Sequence, residues 1–251
     1  MLIEHIAPDS DKVVVNAAFG SEYVTNQQRL RRLLIRSGYD GSYQFWESEL
    51  PEGCPSHNEA RYAFKYPVVD VARQRFPGAK VLWLDAAMFI RGSLQPIFDR
   101  MDEIGYYMHG GEDYVGRWCP DRALQIYDVT RDDMMSVLMG AAGVMGFNFS
   151  HLHGIALFDI LSEWSKSGAF GTADFNDHDR PAGQRGSYVV EHLSDDPRCV
   201  GNRPTDVVVA VALYKLGLPL LPYDPMYTPD WKVGVSGGYS IVYDKNRNLK
   251  E

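Results

Sequence analysis

Val81-Leu82-Trp83-Leu84-Asp85-Ala86-Ala87-Met88-Phe89-Ile90 is the stretch whose reading decides the fold. Its first four residues are apolar without interruption, the composition of a strand covered on both faces, as in parallel sheets. The run stops on a carboxylate. In open α/β sheets ligands collect at the carboxyl ends of strands, so Asp85 stands where chemistry is usually done. The competing reading makes Asp85 a cap for the turn that follows.

Upstream of this strand the pattern alternates between the two periodicities. Lys12-Val13-Val14-Val15-Asn16-Ala17 is a β-branched run of the same buried kind. Glu22–Ser37 sets Leu30, Leu33 and Leu34 at helical spacing, with Arg29, Arg31, Arg32 and Arg36 mostly on the other side, and Gly38 is a stop. Tyr43–Trp46 reads as a second strand. Ser56-His57-Asn58-Glu59 has the S-x-x-E form of a capping box, which predicts a helix from about His57 to Arg75, ended by Phe76-Pro77-Gly78. Strand, helix, strand, helix, strand argues for right-handed crossovers and an α/β protein, with Val13–Asn16 and Val81–Leu84 as neighbouring parallel strands.

Downstream, Gly105–His109 is a candidate strand, Thr130 caps a short helix, and Ala141–Phe147 is a glycine-punctuated apolar run suited to close backbone approach. Ser150 is expected to cap a helix reaching about Lys166. Residues 168–198 turn to Gly, Asp, Asn, Pro and Arg, a long functional loop or lid. Thr205–Leu216 is a helix ended by Gly217, and Leu218–Pro222 a short strand. No repeat or linker divides residues 1–251, so one domain is expected.

Composition narrows the function. The 251 residues are 45% hydrophobic and 12% aromatic, enough for one sizeable core. A net charge of −8 makes a chain-wide grip on nucleic acid phosphates an inferior reading, although the four arginines of the first helix keep a local contact open. No window reaches the length of a membrane span, and Met1–Lys12 carries no secretory pattern, so no membrane partner and a cytoplasmic location are expected. Cys54, Cys119 and Cys199 lie too far apart for a paired framework or a short-spaced zinc site. No phosphate loop ending in Lys-Ser or Lys-Thr and no G-x-G-x-x-G after the first strand is present, which weighs against a P-loop ATPase and a dinucleotide dehydrogenase.

Val81–Asp85 followed by Ala86-Ala87 resembles the strand and D-x-D turn of nucleotide-sugar glycosyltransferases of the GT-A fold. In order along the chain, Val13–Ala18 with Tyr23 is similar to the family's first strand and base-seating loop, Tyr62-Ala63-Phe64-Lys65 to a helix carrying a lysine, Ala142–Asn148 to an acceptor-side segment, and Gly201–Asp206 to a late helix start with an aspartate near the donor sugar. The resemblance implies a single-domain, GT-A-like (Rossmann-like) α/β fold with a mixed, mainly parallel sheet flanked by helices. It implies a hexosyl- or pentosyltransferase that moves sugar from a nucleotide-diphosphate sugar donor to the hydroxyl of an unknown acceptor. Asp85 and Asp206 would be catalytic, with Asn16, Ala18, Tyr23, Lys65, Asp85 and Arg203 around the donor. A uridine or guanosine diphosphate would lie between the Asn16–Tyr23 loop and Asp85.

The family pattern uses two carboxylates to hold one hard cation against the diphosphate. Here Ala87 replaces the second, so Mn2+ or Mg2+ is expected to be weak or dispensable, borrowing His192 beside Asp85. Each residue also has a plainer reading. Tyr23 could cover the core, Lys65 could be a solvated helix residue, and Asp206 could complement the helix dipole. Among His109, His151, His153, His178 and His192, most are read as structural. Glu112-Asp113 could supply a base or be an exposed acidic turn. Two rivals stay open: a non-catalytic nucleotide-sugar binding module, favoured by Ala87, and a nucleic-acid-modifying sugar transferase.

Overall fold

The computed structural model describes residues 1–56, 59–171, 193–221, 227–229 and 241–243. In chain order the elements are β1 (Leu2–His5), β2 (Lys12–Ala18), α1 (Gly20–Arg36), β3 (Ser42–Glu47), α2 (Lys65–Arg75), β4 (Lys80–Leu84), β5 (Met88–Ile90) and α3 (Gln95–Ile104). There follow β6 (Tyr106–Tyr107), β7 (Gly110–Tyr114), α4 (Val115–Trp118), α5 (Asp121–Tyr127), α6 (Arg131–Met134), β8 (Leu138–Gly140) and β9 (Val144–Asn148). The remainder are α7 (Leu152–Ser165), α8 (Pro204–Leu216), β10 (Tyr227–Pro229) and β11 (Ile241–Tyr243).

The main sheet runs β1-β3-β2-β4-β9-β6. Strands β3, β2, β4 and β6 point one way, and β1 and β9 point the other. As the sequence predicts, β2 and β4 are parallel neighbours, with Val13 opposite Val81 and Val15 opposite Trp83. Their side chains alternate between two cores, which is why both strands read as unbroken apolar runs. Val13, Val15, Val81 and Trp83 pack on the face covered by Tyr66, Val69, Leu161 and Val208 from α2, α7 and α8. Val14, Leu82 and Leu84 pack on the other, with Leu30, Leu34, Ile97 and Phe98 from α1 and α3. Asp85 continues the first set, because residues 81, 83 and 85 share a face.

Several boundaries differ from the sequence reading. The Ser56–Glu59 reciprocal bonds form, at 2.8 and 3.3 Å, yet α2 starts only at Lys65. Tyr62 lies at φ 61, in the left-handed region, which an α-helix cannot continue through. His151 rather than Ser150 caps α7, its Nδ1 accepting from the His153 amide at 3.1 Å, while Ser150 bonds to Asn148. The strand expected at Gly105–His109 shrinks to β6, because Gly105, at φ 93, is spent ending α3. Of the strand expected at Leu218–Pro222, Leu221 bridges His109, and Pro222 lies outside the described residues. Thr130 caps α6 and Gly217 ends α8 as expected. The core of the expected lid, 172–192, lies outside the described residues, and with it His178 and His192. Among the described residues no helix is long and apolar enough to cross a membrane.

Candidate active site

Asp85 stands at the carboxyl end of β4, where the chain turns back. Its carbonyl accepts from the Met88 amide at 2.9 Å, closing a tight turn over Ala86 and Ala87. Its own amide donates to Gly143 O at 2.8 Å, which ties the strand end to the loop before β9. A Cβ at residue 143 would lie 3.6 Å from Asp85 Oδ2, an ordinary contact, and would displace only the end of the Met88 side chain.

The carboxylate faces α2. Lys65 Nζ lies 2.7 Å from Asp85 Oδ1, and Trp83, two residues back on the same face, donates its indole N–H to the same oxygen at 2.7 Å. Lys65 is 3% exposed, and its ammonium also donates to Ala142 O at 3.0 Å. The ammonium is flanked by the rings of Trp83 at 5.4 Å and Tyr62 at 5.6 Å. The left-handed Tyr62 that breaks the expected helix thus lies against the lysine at the head of the helix that does form. The solvated-residue reading of Lys65 is excluded.

Asp206 enters from the first turn of α8. Its Oδ1 accepts from the Ala142 amide at 3.0 Å, and its Oδ2 lies 4.0 Å from Arg203 Nη1. One peptide unit, Ala142, therefore contacts Lys65 through its carbonyl and Asp206 through its amide. Burial raises the Asp206 carboxyl above the usual carboxylate range, against the Ala142 hydrogen bond and the charges of Arg203 and Lys65, and Asp85 adds to the rise. Arg203 caps the same helix without a side-chain bond, and its guanidinium lies 4.6 Å from the Trp118 ring. The exposed fractions are 31% for Asp85, 26% for Asp206 and 39% for Arg203, so these three reach solvent and Lys65 underlies them.

Other expected site residues have other positions. Asn16 is fully buried, donating to Leu84 O at 2.5 Å and accepting from Gln27 at 2.6 Å, so its amide braces β2 against the end of β4 and cannot reach a base. Ala18 is buried, and its carbonyl accepts from the Ser48 amide at 2.9 Å. Tyr23 is 53% exposed on the first turn of α1, which excludes the core-covering reading. Asp113 is bound by Arg117 at 2.9 Å and Trp118 at 2.7 Å. Burial works upward on it, but these partners and the Tyr114 amide outweigh burial and hold its carboxyl below the usual range, a poor setting for a base. The four arginines do not form one exposed stripe, since Arg29 and Arg31 are half-buried and Arg29 lies 5.4 Å from the Phe89 ring. The three cysteines are free thiols, Cys119 and Cys199 buried, and burial pushes Cys54 up to about 11.

The sequence reading missed Trp83 and Tyr62 as the lysine's ring faces, Trp118 beneath Arg203, and the Ala142-Gly143 backbone as the hub. Only Gly143 left a signal, as a glycine inside an apolar run.

A divalent cation does not fit this donor set. Asp85 Oδ1 already receives two donors, one of them a full positive charge, and the Ala142 carbonyl is taken by the same ammonium, so of these groups only Asp85 Oδ2 faces away from the lysine, and one carboxylate oxygen is too few for a hard cation. Among the described residues no group of three His, Cys, Asp or Glu side chains comes together. His109 is buried beside the Gly110 carbonyl, and the rings of His151 and His153 meet at a tilt at the start of α7.

No protein-family profile matches the chain, and no curated protein matches it. Solved structures of glycosyltransferases do. One is a glycosyltransferase involved in the glycosylation of the major capsid of PBCV-1, 14% identical over 94% of this chain and 93% of that one, with a TM-score of 0.44. Another is the galactosyltransferase LgtC in complex with donor and acceptor sugar analogs, 14% identical over 94% and 87% of the two chains, TM-score 0.45. A third is the apo form of mouse xyloside xylosyltransferase 1, 8% identical over 95% and 99%, TM-score 0.45. The roles of individual residues rest on the site itself.

Proposed function

We propose that the chain is a glycosyltransferase that moves a hexose or pentose from a nucleotide-diphosphate sugar to an acceptor hydroxyl. The observation that carries this reading is the convergence of Asp85, Asp206 and Arg203 from two elements around the Ala142 peptide, above a buried Lys65. Sugar transfer needs the leaving diphosphate neutralised, the acceptor oxygen relieved of its proton, and water kept out. Arg203 supplies an exposed cation at a helix start, where the dipole and backbone amides also attract anions. Asp85, fixed by Lys65 and Trp83, orients the donor sugar. Asp206 faces the reacting sugar, and its raised affinity for a proton suits it to take one from the acceptor. Tyr23, exposed beside the end of β2, offers a ring on which any base can stack.

Calorimetry and thermal shift with uridine and guanosine diphosphates and their sugar conjugates test the reading. Binding raises apparent stability by mass action, about 2.7 kcal/mol at a hundredfold excess over Kd. No binding at millimolar ligand would end it. The second reading, a non-catalytic binding module, is favoured by Ala87; it predicts donor binding without release of the nucleotide in the presence of any acceptor sugar.

A further inference from the structure

The D-x-D resemblance leads one to expect a divalent ion between Asp85 and a diphosphate, yet a positive charge is already there. A metal site for a hard cation needs several oxygens with free lone pairs. Of the two Asp85 oxygens, Oδ1 instead meets the Lys65 ammonium at 2.7 Å and the Trp83 indole at 2.7 Å, so Oδ2 is the single carboxylate oxygen on the turn that these donors do not engage. The lysine has no easy retreat. It rises from the first turn of α2, is 3% exposed, and is held by the Ala142 carbonyl and by two ring faces. Removing that ammonium would leave Asp85 half-buried and uncompensated, and adding a divalent ion beside it would set like charges together in a poorly screened place.

We infer that Lys65 is the site's resident cation: it holds Asp85 in position in place of a metal and makes nucleotide-diphosphate binding independent of divalent ions. Lys65 is a positioning residue acting through Asp85, while the diphosphate charge is met by Arg203. The inference deepens the glycosyltransferase reading and rests on it for its ligand, but its metal arm can be tested without any nucleotide. Ala87 then follows from the same arrangement, because with an ammonium on Asp85 a second carboxylate on the turn has no cation to share.

The test titrates manganese into the full chain, followed by electron paramagnetic resonance of the free ion, for the unmodified protein, Lys65→Met and Lys65→Arg. The methionine keeps the length of the stem and removes the charge, and circular dichroism reports whether the fold survives. The unmodified protein and Lys65→Arg should bind no manganese below millimolar concentration, whereas Lys65→Met should gain affinity by about tenfold or more, the scale on which a metal site responds to its surroundings. In parallel, nucleotide-diphosphate affinity of the unmodified protein should be the same in chelator and in manganese. Micromolar manganese binding by the unmodified protein, nucleotide affinity lost in chelator, or a folded Lys65→Met as inert to manganese as its parent would each overturn the inference. If Lys65→Met does not fold, the two measurements on the unmodified protein still decide it. Should no nucleotide bind under any condition, the glycosyltransferase reading fails and the manganese arm alone judges Lys65.

Discussion

Lys65 and Arg131 are both buried cations set among carboxylates, and the difference between their surroundings separates a reactive cluster from a structural one. Arg131, the first residue of α6, is 6% exposed on its side chain and spends its guanidinium on the scaffold. It donates to the Gly116 carbonyl, to Cys119 O at 2.9 Å, to Asp121 at 2.6 Å and to Ser194 at 3.1 Å, with Asp196 at 3.7 Å. Those bonds fasten α4, α5, α6 and the segment after residue 193 into one unit. At Asp121 burial works upward, but the Ser194 hydroxyl and the Arg131 guanidinium outweigh it and hold the carboxyl below the usual range. Asp196, held chiefly by Arg198, sits at about 2. Around Lys65 the outcome is reversed, since Asp206 is raised. An open concavity beside Arg131 is lined by Asp121, Asp196 and Arg198 and shares no residue with the Asp85 cluster. Its carboxylates are already committed to guanidinium partners. The contrast shows that counting buried charges does not find a site. What matters is whether they leave an unspent oxygen facing solvent.

The largest expected effect breaks the structural half of the comparison. Arg131→Ala strands two buried backbone carbonyls at about 1–3 kcal/mol each, while Asp121, half-exposed and still bound by Ser194, adds little. Urea unfolding should register a loss of that order. A change below about 1 kcal/mol would place Arg131 among exposed ion pairs, which contribute that little. Next in size is the reactive half. Asp85→Asn keeps Oδ1 to accept from Lys65 and Trp83 but leaves the buried ammonium without its counter-charge, so stability should fall as well, and turnover is compared at a temperature where circular dichroism shows the variant folded. Turnover should fall about a hundredfold, the usual scale for a positioned polar group. Unchanged turnover would reduce Asp85 to a turn cap.

Most of the scaffold was legible because its signals are local. The apolar runs at 12–17 and 80–84, the leucines of α1 and the Gly217 stop each depend on neighbours a few residues away. Asp85 is picked out by its place at the end of a strand, whereas Lys65, Arg203 and Asp206 come forward only through the GT-A resemblance. What stayed illegible is what depends on contacts distant in sequence. The capping box at Ser56 forms, but nothing nearby announces that Tyr62 takes a left-handed backbone and delays α2 to Lys65. Asn16 resembled a ligand-facing residue because strand ends usually expose polar groups; only the packing of Gln27 from α1 and the end of β4 shows that its amide is fully used inside. The pairing of Lys65 with Asp85 spans twenty residues in sequence and requires α2 to cover the face that residues 81, 83 and 85 share.

The smallest expected effect is the sign of a pH slope, and it sharpens the comparison most directly. A carboxyl raised in the folded state binds more proton folded than unfolded between its ordinary value and the raised one. Across that window stability therefore falls as pH rises, at no more than about 1.4 kcal/mol per unit for one proton. Asp206 should contribute such a falling slope just above the ordinary carboxylate range. Asp121, lowered, should contribute the opposite, with stability lost as pH drops below the ordinary carboxylate value. Asparagine at either position keeps a carbonyl oxygen for the existing donor and removes the titration. Urea unfolding across the acidic range should then give Asp206→Asn a stability at neutral pH equal to or above that of its parent, with the falling slope gone. Asp121→Asn should be less stable than its parent at neutral pH and should lose less on acidification. If both substitutions changed the slope in the same direction, Asp206 would be one more ion-paired carboxylate of the Arg131 kind, and its assignment as the proton acceptor of the transfer would go with it.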